Sequence, residues 1–488
     1  MTESKSDKKI RLLFGMVLLI TAVVTITVFS KSSFLYPLND WVDSNCFFTM
    51  GKGILHGKVP YRDLYDHKGP VLYFIHALAA MISSDSFLGV YFIEAAACFG
   101  FLFYSYKTLQ LFTDNKRNIL LIMVLSFFVY SSAAFCHGDS VEEFCLPLLA
   151  YTQYIGMKCI RDGKIPGFKE SLFIGITSSC VLWMKYTILG FYIGWVILPI
   201  ILLIRKKYIK ELFKMLGTIL LGVIAITIPV LLYFAANHAL GDLFSVYFYN
   251  NIFIYNTRDS NTHSFIYYFG RNLKNAFIGN KFLMVFLIIG IAGLWTEKKM
   301  LMQYIITLAV TSLFILSPSA VYRYYPLVLN VFGVFGIMAI SKLLDKVNGR
   351  IALPSMIAAD ILAFTLCYFA SPNTYLILKD KDELPQYKFK KIIEQTDDAT
   401  LLNYGFLDGG FYTVCNIVPD CRYFCKLNIR SDEMLRVQDE YLDERLADYV
   451  VTRGEKLEND NYSQVAVASY YFEGGYYTYY LYKMNDTD

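Results

Sequence analysis

The chain has 488 residues, of which 56% are hydrophobic and 18% charged, and its formal net charge is +4. Soluble proteins carry roughly 25% charged residues, so this composition argues against a soluble chain. The small net charge also argues against a nucleic-acid partner. Tyr and Phe supply most of the 17% aromatic content, as expected of a membrane protein with aromatic residues at its interfaces.

Apolar segments of helical length recur along the chain and predict a polytopic α-helical membrane protein. The first, 12–29, is free of charge and long for a signal peptide, and no small-x-small motif follows it. We therefore expect it to be retained as a span. About eleven spans are predicted in total: 12–29, 86–106, 118–135, 143–158, 171–184, 187–204, 214–236, 280–295, 300–317, 322–341 and 351–370.

Basic residues mark every second connection between these spans and predict the orientation. They are, with the Lys-rich N-terminus, Lys107, Lys158, Arg205, Lys298 and Lys342. Because cytoplasmic loops carry an excess of Lys and Arg, this side is expected to be cytoplasmic. The extracytoplasmic side then holds a first outer loop, 31–85, and everything after residue 371.

Two apolar stretches of the first outer loop, 69–83 and 47–57, are predicted to be helices lying at the outer membrane interface. A span at 69–83 would invert the parity of all later loops. After residue 371 the apolar runs stop, and short strands, a hairpin and a helix are predicted at 400–404, 448–452, 465–472 with 476–482, and 433–446. The chain is thus divided into a membrane domain, 1–371, and a small extracytoplasmic α/β domain, 372–488.

Cysteine spacing indicates no zinc site, because no CxxC pair of the zinc type occurs. Cys415, Cys421 and Cys425 cluster in the predicted extracytoplasmic domain, where one disulfide can form. The pairing does not follow from the sequence.

Ionisable residues concentrate in two outer loops. The first loop carries Asp43 and then Arg62 to Lys68, and the second reads His137-Gly138-Asp139-Ser140-Val141-Glu142-Glu143. Both loops are predicted at membrane ends on the same side, so their carboxylates can converge there. Carboxylate oxygens in such a place suit a divalent cation or accept a proton from an attacking hydroxyl.

The first outer loop contains three features in a fixed order. Asp43 follows the first span, residues 57–63 read Gly-x-x-Pro-Tyr-Arg-Asp, and His67-Lys68-Gly69-Pro70 precedes the next apolar segment. Together they resemble the first outer loop of the GT-C glycosyltransferases, in the branch of the protein O-mannosyltransferases and the lipid A aminoarabinose transferase. Two departures from that pattern are His67 in place of a glutamate and a glycine between Lys68 and Pro70.

The resemblance implies roles for first-loop residues. Asp43 matches the aspartate proposed as catalytic base, Lys68 the lysine that holds the lipid phosphate, and Arg62 a substrate-binding residue. Asp139 or Glu142, with Asp139 preferred, matches the second-loop acid that helps to hold a metal ion. A divalent metal ion is therefore the one cofactor expected.

A second basic group is expected near the tenth span. Arg323-Tyr324-Tyr325-Pro326 is similar to the family's basic-Tyr-Tyr-x-x-Pro stretch, with a shorter spacing to the proline, and implies a phosphate contact from Arg323 and substrate contacts from the tyrosines. Lys185 lies in a short turn between two predicted spans and is a further candidate. Fixed cations stabilise the charge that develops on a departing polyprenyl phosphate, most of all where water is excluded.

These features predict an enzyme, a glycosyltransferase of the membrane that moves one sugar, with inversion, from a polyprenyl-phosphate donor to an acceptor at the outer face. The acceptor is an envelope glycopolymer, a lipid or a protein. Two alternatives stay open: a transporter or flippase of polyprenyl-linked glycans, and a non-catalytic envelope assembly subunit. Transporters place charges near the bilayer midplane and often contain two related halves, which this sequence lacks.

Overall fold

The computed structural model describes residues 5–115, 117–254, 264–319, 321–346, 353–429, 432–472 and 475–486. The chain divides into two compact units. Unit 1 comprises Met1–Ser30, Ile93–Pro229 and Asp259–Tyr375, and unit 2 comprises Lys31–Phe92, Val230–Arg258 and Leu376–Asp488. Unit 2 therefore gathers the first outer loop and the C-terminal region, which the sequence assigned to separate domains.

Helices make up most of the chain. The α-helices are α1 (Lys5–Phe29), α2 (Val42–Leu55), α3 (Pro70–Ala80), α4 (Leu88–Leu109), α5 (Asn118–Tyr130), α6 (Val141–Asp162), α7 (Phe168–Lys185), α8 (Gly190–Arg205), α9 (Ile209–Ala236), α10 (Leu240–Asp242), α11 (Phe265–Gly279), α12 (Lys281–Gly293), α13 (Lys298–Leu316), α14 (Gly333–Lys346), α15 (Leu353–Ala370), α16 (Pro385–Ile393), α17 (Phe411–Val414) and α18 (Glu433–Asp443). The longer 3₁₀ and π segments are Tyr186–Leu189, Tyr325–Phe332 and Leu243–Ile254.

Seven helical segments of the described residues are long and apolar enough to cross a membrane. They are Leu12–Phe29, Leu88–Leu109, Phe168–Arg205, Ile209–Ala236, Lys298–Leu316, Tyr325–Lys346 and Leu353–Ala370. A pair bent by 101°, Phe265–Gly279 with Lys281–Gly293, brings the number to eight. The chain is thus a multi-pass membrane protein, and the number of eleven spans stays a prediction.

The segment Phe168–Arg205 reverses direction at its centre. In α7, a Cβ on Gly175 would lie 2.0 Å from the carbonyl oxygen of Ile219, and Trp183 bonds Thr227 at 3.0 Å, so α7 runs parallel to α9. In α8, Leu203 packs with Leu212, near the start of α9, and Val196 packs beside the same cluster further along. Helices α7 and α8 therefore form an antiparallel hairpin through the 3₁₀ turn Tyr186–Leu189, as the two predicted spans require.

In unit 2, the apolar stretches of the first outer loop form α2 and α3, as predicted. Glycine lets the two helices touch, because a Cβ on Gly51 would lie 2.5 Å from the backbone of His76. The 11 residues of α3 extend about 17 Å, too short to cross the roughly 30 Å hydrocarbon core. Their location at the membrane surface stays a prediction.

Helix α2 also carries a deeply buried lysine. Lys52 is 1% exposed, and its ammonium donates to the carbonyl oxygens of Tyr412, 3.0 Å away, and Ile417, 3.3 Å away. Burial lowers the pKa of Lys52 to about 8, against the attraction of Asp408. These bonds tie the first outer loop to the C-terminal part of the same unit.

The C-terminal part of unit 2 contains a four-stranded sheet of order β1-β2-β4-β3. The strands are β1 (Leu401–Asn403), β2 (Tyr449–Arg453), β3 (Tyr462–Phe472) and β4 (Gly475–Met484). β1 pairs parallel with β2, whereas β4 pairs antiparallel with both β2 and β3. The predicted hairpin is thus β3–β4; Glu473 and Gly474 of its turn lie outside the described residues.

Candidate active site

Two buried carboxylate side chains, Glu94 and Glu143, meet the backbone of Asp139 where α6 begins in unit 1. Ser140 caps the helix by accepting a hydrogen bond from the backbone N–H of Glu143. The preceding residue, Asp139, adopts a left-handed backbone with φ of 62°, which directs its N–H to Glu94 at 2.7 Å and to Glu143 at 3.0 Å. Ser30 donates to both oxygens of Glu94 at 2.9 Å. Asp139, Glu94 and Glu143 are all fully buried.

Lys185 lies beside the second acid of this loop. From the turn of the α7–α8 hairpin, its Nζ donates to Glu142 Oε1 at 2.5 Å, and the two side chains are 12% and 2% exposed. The same ammonium sits 3.5 Å from the ring centroid of Tyr325 and 5.4 Å from that of Tyr324. Ion pair and cation–π contacts fix one positive charge at a mostly buried place.

Arg323, which is distant in sequence, contacts the same loop. Its guanidinium donates to Cys136 Sγ at 3.0 Å and contacts His137 Nε2 at 3.1 Å. Cys136 has a positive φ of 64°, a left-handed backbone conformation. Unit 1 thus brings together Arg323, Tyr324, Tyr325, Lys185 and Glu142, five of its predicted site residues.

In unit 2, three consecutive residues form a chain of polar contacts. Lys68 Nζ lies 3.2 Å from His67 Nε2, and His67 Nδ1 lies 3.4 Å from Asp66 Oδ1. Tyr73, from α3, donates to Asp66 Oδ2 at 2.8 Å. Because an ammonium has only donors, the bond requires His67 to accept at Nε2 and to carry its proton on Nδ1, toward Asp66.

The ionisation of this chain agrees with that tautomer. Burial, and then the charge of Lys68, lower the pKa of His67 below its usual value, so the imidazole is neutral near pH 7. Burial by itself would raise the pKa of Asp66, but the contact with the His67 ring and the charge of Lys68 lower it to about 2. Asp66 is therefore an anion and Lys68 a cation, joined through a neutral ring.

Asp43 occupies the first turn of α2 and is half-buried. A carboxylate there is favoured by the unsatisfied N–H groups of the helix terminus. Its negative charge raises the pKa of His67, which places it near the His67–Lys68 pair. Asp43 and Lys68, predicted as base and phosphate ligand, therefore share one neighbourhood in unit 2.

Arg62 has a different environment from the one predicted for a substrate ligand. Its guanidinium bonds both oxygens of Asp63 at 2.8 Å and the carbonyl oxygen of Asn237 at 2.6 Å. These bonds brace the loop 31–85 against the end of α9. They leave fewer donors for a substrate, and the predicted role stays untested.

The predicted metal ligands do not form a cluster. No group of three or more His, Cys, Asp or Glu side chains with metal-binding geometry occurs in the part of the chain that the structure describes. Glu142, one predicted ligand, is neutralised by Lys185. The divalent metal ion expected from the resemblance therefore stays a prediction.

Sequence reasoning missed two buried groups. Glu94 lies inside α4, and a carboxylate within an apolar span is a recognised signal of a functional or structural site. Lys31 and Asp40 form an ion pair of 2.6 Å at the start of the first outer loop, both nearly inaccessible to solvent. Tyr470 of β3 adds a hydrogen bond to Asp40 at 3.2 Å.

Two crystal structures share the architecture of the chain. That of ArnT from Cupriavidus metallidurans bound to undecaprenyl phosphate aligns with a TM-score of 0.59 at 10% identity, covering 96% of this chain and 97% of ArnT. The chain has the GT-C fold. ArnT in the apo state aligns with a TM-score of 0.58 at 10% identity, covering 92% and 93%. No protein-family model and no curated protein matches the sequence.

The predicted resemblance to the GT-C glycosyltransferases, in the branch of the aminoarabinose transferase, is therefore confirmed for the fold. The likeness extends beyond the membrane helices, since it covers nearly the whole of both chains.

Proposed function

We propose that the chain transfers a monosaccharide from a polyprenyl-phosphate donor to an acceptor at the extracytoplasmic face of the membrane. The observation that carries the proposal is the GT-C fold, shared along 96% of the chain with an ArnT structure bound to undecaprenyl phosphate. The acceptor is an envelope glycan, a lipid or a protein. The basic loops support a cytoplasmic N-terminus and an extracytoplasmic C-terminal region.

The cations of the two units suit a phosphate leaving group. Lys185 and Arg323 in unit 1 and Lys68 in unit 2 each have a position fixed by contacts with neighbouring side chains. A preorganised cation stabilises charge that develops on the polyprenyl phosphate as the sugar bond breaks. In unit 1, Tyr324 and Tyr325 lie beside the Lys185 ammonium and are proposed to contact the same substrate as Lys185.

Asp43 is proposed as the base. It accepts the proton of the acceptor hydroxyl while that oxygen attacks the anomeric carbon, and the phosphate leaves from the opposite face. One displacement of this kind inverts the anomeric centre and needs one base, unlike retaining hydrolases with their close carboxylate pair.

The assay uses the purified chain in nanodiscs, polyprenyl-phosphate donors with labelled sugars, and envelope extract as acceptor. Transfer of label is expected for the wild type and lost, by at least about 100-fold, in Asp43→Asn. The matched control is Asp420→Asn, which removes a carboxylate of unit 2 that is 57% exposed and pairs with Lys58. It is expected to retain full activity. Unchanged transfer by Asp43→Asn would contradict the assignment of the base.

Two further measurements separate this function from the alternatives. Movement of the lipid-linked sugar across proteoliposomes without transfer of label would favour a flippase. Activity before and after chelation of divalent ions tests the metal ion expected from the family resemblance. The ligands predicted for that ion are Asp139 and Glu142.

A further inference from the structure

A cavity of about 440 Å³ lies in unit 1 where several helices end. Its walls include residues near the C-terminal ends of α6 and α8 and near the N-terminal ends of α9 and α13. The ends of membrane helices lie close to the boundary between lipid and water. The basic connections assign this boundary to the cytoplasmic side, opposite the proposed site of transfer.

The lining of the cavity combines positive charge with an apolar wall. Three lysines, Lys164, Lys206 and Lys299, line it together with one acid, Glu211. None of the three lysines forms an ion pair with another described residue. The net lining charge is therefore +2, from three lysines less one glutamate. The apolar wall is built from Ile160, Pro199, Leu202 and Leu203.

Two buried polar atoms on this wall lack a partner in the described structure. Trp195 and Gln303 are each 2% exposed, and the indole Nε1–H donor and the amide Oε1 acceptor form no hydrogen bond. Gly156 makes room for the indole, since a Cβ there would lie 2.2 Å from Trp195 Nε1. A buried polar group without a partner costs about 1–3 kcal/mol, so these atoms are suited to a polar ligand or to water.

Both side chains lie deeper along their helices than the lysines do. Trp195 lies ten residues before the end of α8, about 15 Å along its axis, and Gln303 lies five residues after the start of α13, about 8 Å. Lys206 and Lys299, in contrast, lie at the helix ends themselves. Positive charge therefore lies at the boundary, and unpaired donors and acceptors lie below it.

We propose that this cavity binds an anionic phospholipid of the cytoplasmic leaflet. The lysines contact the headgroup phosphate, the Trp195 indole N–H donates to an ester carbonyl oxygen, and an acyl chain lies against the apolar wall. Basic pockets between membrane helices on this side bind anionic headgroups in general. A free anion would leave the apolar wall uncovered, so a lipid is the better match. The site is independent of the proposed sugar transfer.

The test is native mass spectrometry of the full chain released from nanodiscs that contain equal amounts of phosphatidylglycerol and phosphatidylcholine. Each lysine near an anionic headgroup contributes about fivefold. Lys164→Gln/Lys206→Gln/Lys299→Gln is therefore expected to lower the preference for phosphatidylglycerol by at least about tenfold. Trp195→Phe keeps the ring and removes the donor. It is expected to reduce retention of both lipids severalfold without changing the preference.

The matched control removes the same charge from the same side of unit 1. Lys207, Lys210 and Lys214 are exposed and do not line the cavity, so their triple Gln variant is expected to keep the preference. Equal loss in both triple variants would mean a general surface field and would overturn the proposal. Displacement of the lipid by inorganic phosphate at matched ionic strength would show a free-anion site instead. Unchanged retention in Trp195→Phe would refute the assigned donor.

Discussion

Asp66 supplies a test of the chain of polar contacts in unit 2. Its carboxyl is 2% exposed, accepts from Tyr73, and has its pKa lowered from 3.8 to about 2 by His67 and Lys68, against the opposing effect of burial. A shift of this size corresponds to about 2 kcal/mol of folding free energy at pH 7. Asp66→Asn removes the charge and keeps the shape, so we expect a loss of about that size.

Thermal unfolding of the purified chain over a series of pH values measures this loss. At pH 7, Asp66→Asn is expected to lower Tm by about 4 °C. Because the carboxyl has a lower pKa in the folded than in the unfolded state, its stabilisation is complete above about pH 5 and is lost between about pH 4 and pH 2. The Tm difference between wild type and variant should therefore narrow as the pH falls.

The control for this experiment is Asp420→Asn. Its ion pair with Lys58 is solvent-exposed, and exposed pairs contribute about 0–1 kcal/mol. We expect a Tm close to the wild type at every pH. Two results would refute the reasoning: a Tm of Asp66→Asn equal to that of the wild type at pH 7, or a Tm difference that stays constant from pH 7 to pH 3. Either would mean that the charge network does not stabilise unit 2 as described.

Three further predictions concern buried contacts. Lys185→Ala leaves Glu142 buried without a cation, so it is expected to lower the free energy of unfolding by about 3–5 kcal/mol and to abolish sugar transfer. Adding Glu142→Gln to this variant should restore Tm but not transfer. Recovered transfer in the double variant would refute the role of Lys185 as a phosphate ligand. Gly138→Ala should lower Tm by more than a typical surface change, because Gly138 has φ of 90° and a new Cβ would lie 2.3 Å from a serine hydroxyl. Diamide should oxidise Cys46 and Cys425, whose sulfurs are 3.5 Å apart, to a disulfide that peptide mapping without reduction detects. A disulfide between Cys425 and Cys421 instead would contradict the contact between Cys46 and Cys425.

Long apolar runs made the membrane helices predictable. A span needs about 20 apolar residues, and such runs are visible without knowledge of their partners. The short gap around Lys185 likewise indicated a turn, which the structure places at Tyr186–Leu189. The β3–β4 hairpin followed from two β-rich runs separated by a glycine turn. All of these signals are local in sequence.

Pairings between distant residues could not be predicted in the same way. Glu94 meets Asp139 across 45 positions of sequence, and Lys52 finds its acceptors about 360 positions away. The sequence did not show that Glu142 pairs with Lys185. It predicted Lys185 as a phosphate ligand and Glu142 as a metal ligand. Asp66 received no predicted role, because the family pattern points to its neighbour Lys68. The contact between Asp66 and His67 depends on the tautomer of His67, which is set by burial and is not visible in the sequence.

The position of Lys52 has a consequence for biosynthesis. Its ammonium is enclosed by carbonyl groups of Tyr412 and Ile417, which emerge from the ribosome long after α2 has been made. During the intervening synthesis, a nascent chain cannot complete the packing around this charge. The packing of unit 2 around α2 is therefore completed only after residue 417 has been made, and a chain truncated before residue 412 would leave Lys52 without these acceptors.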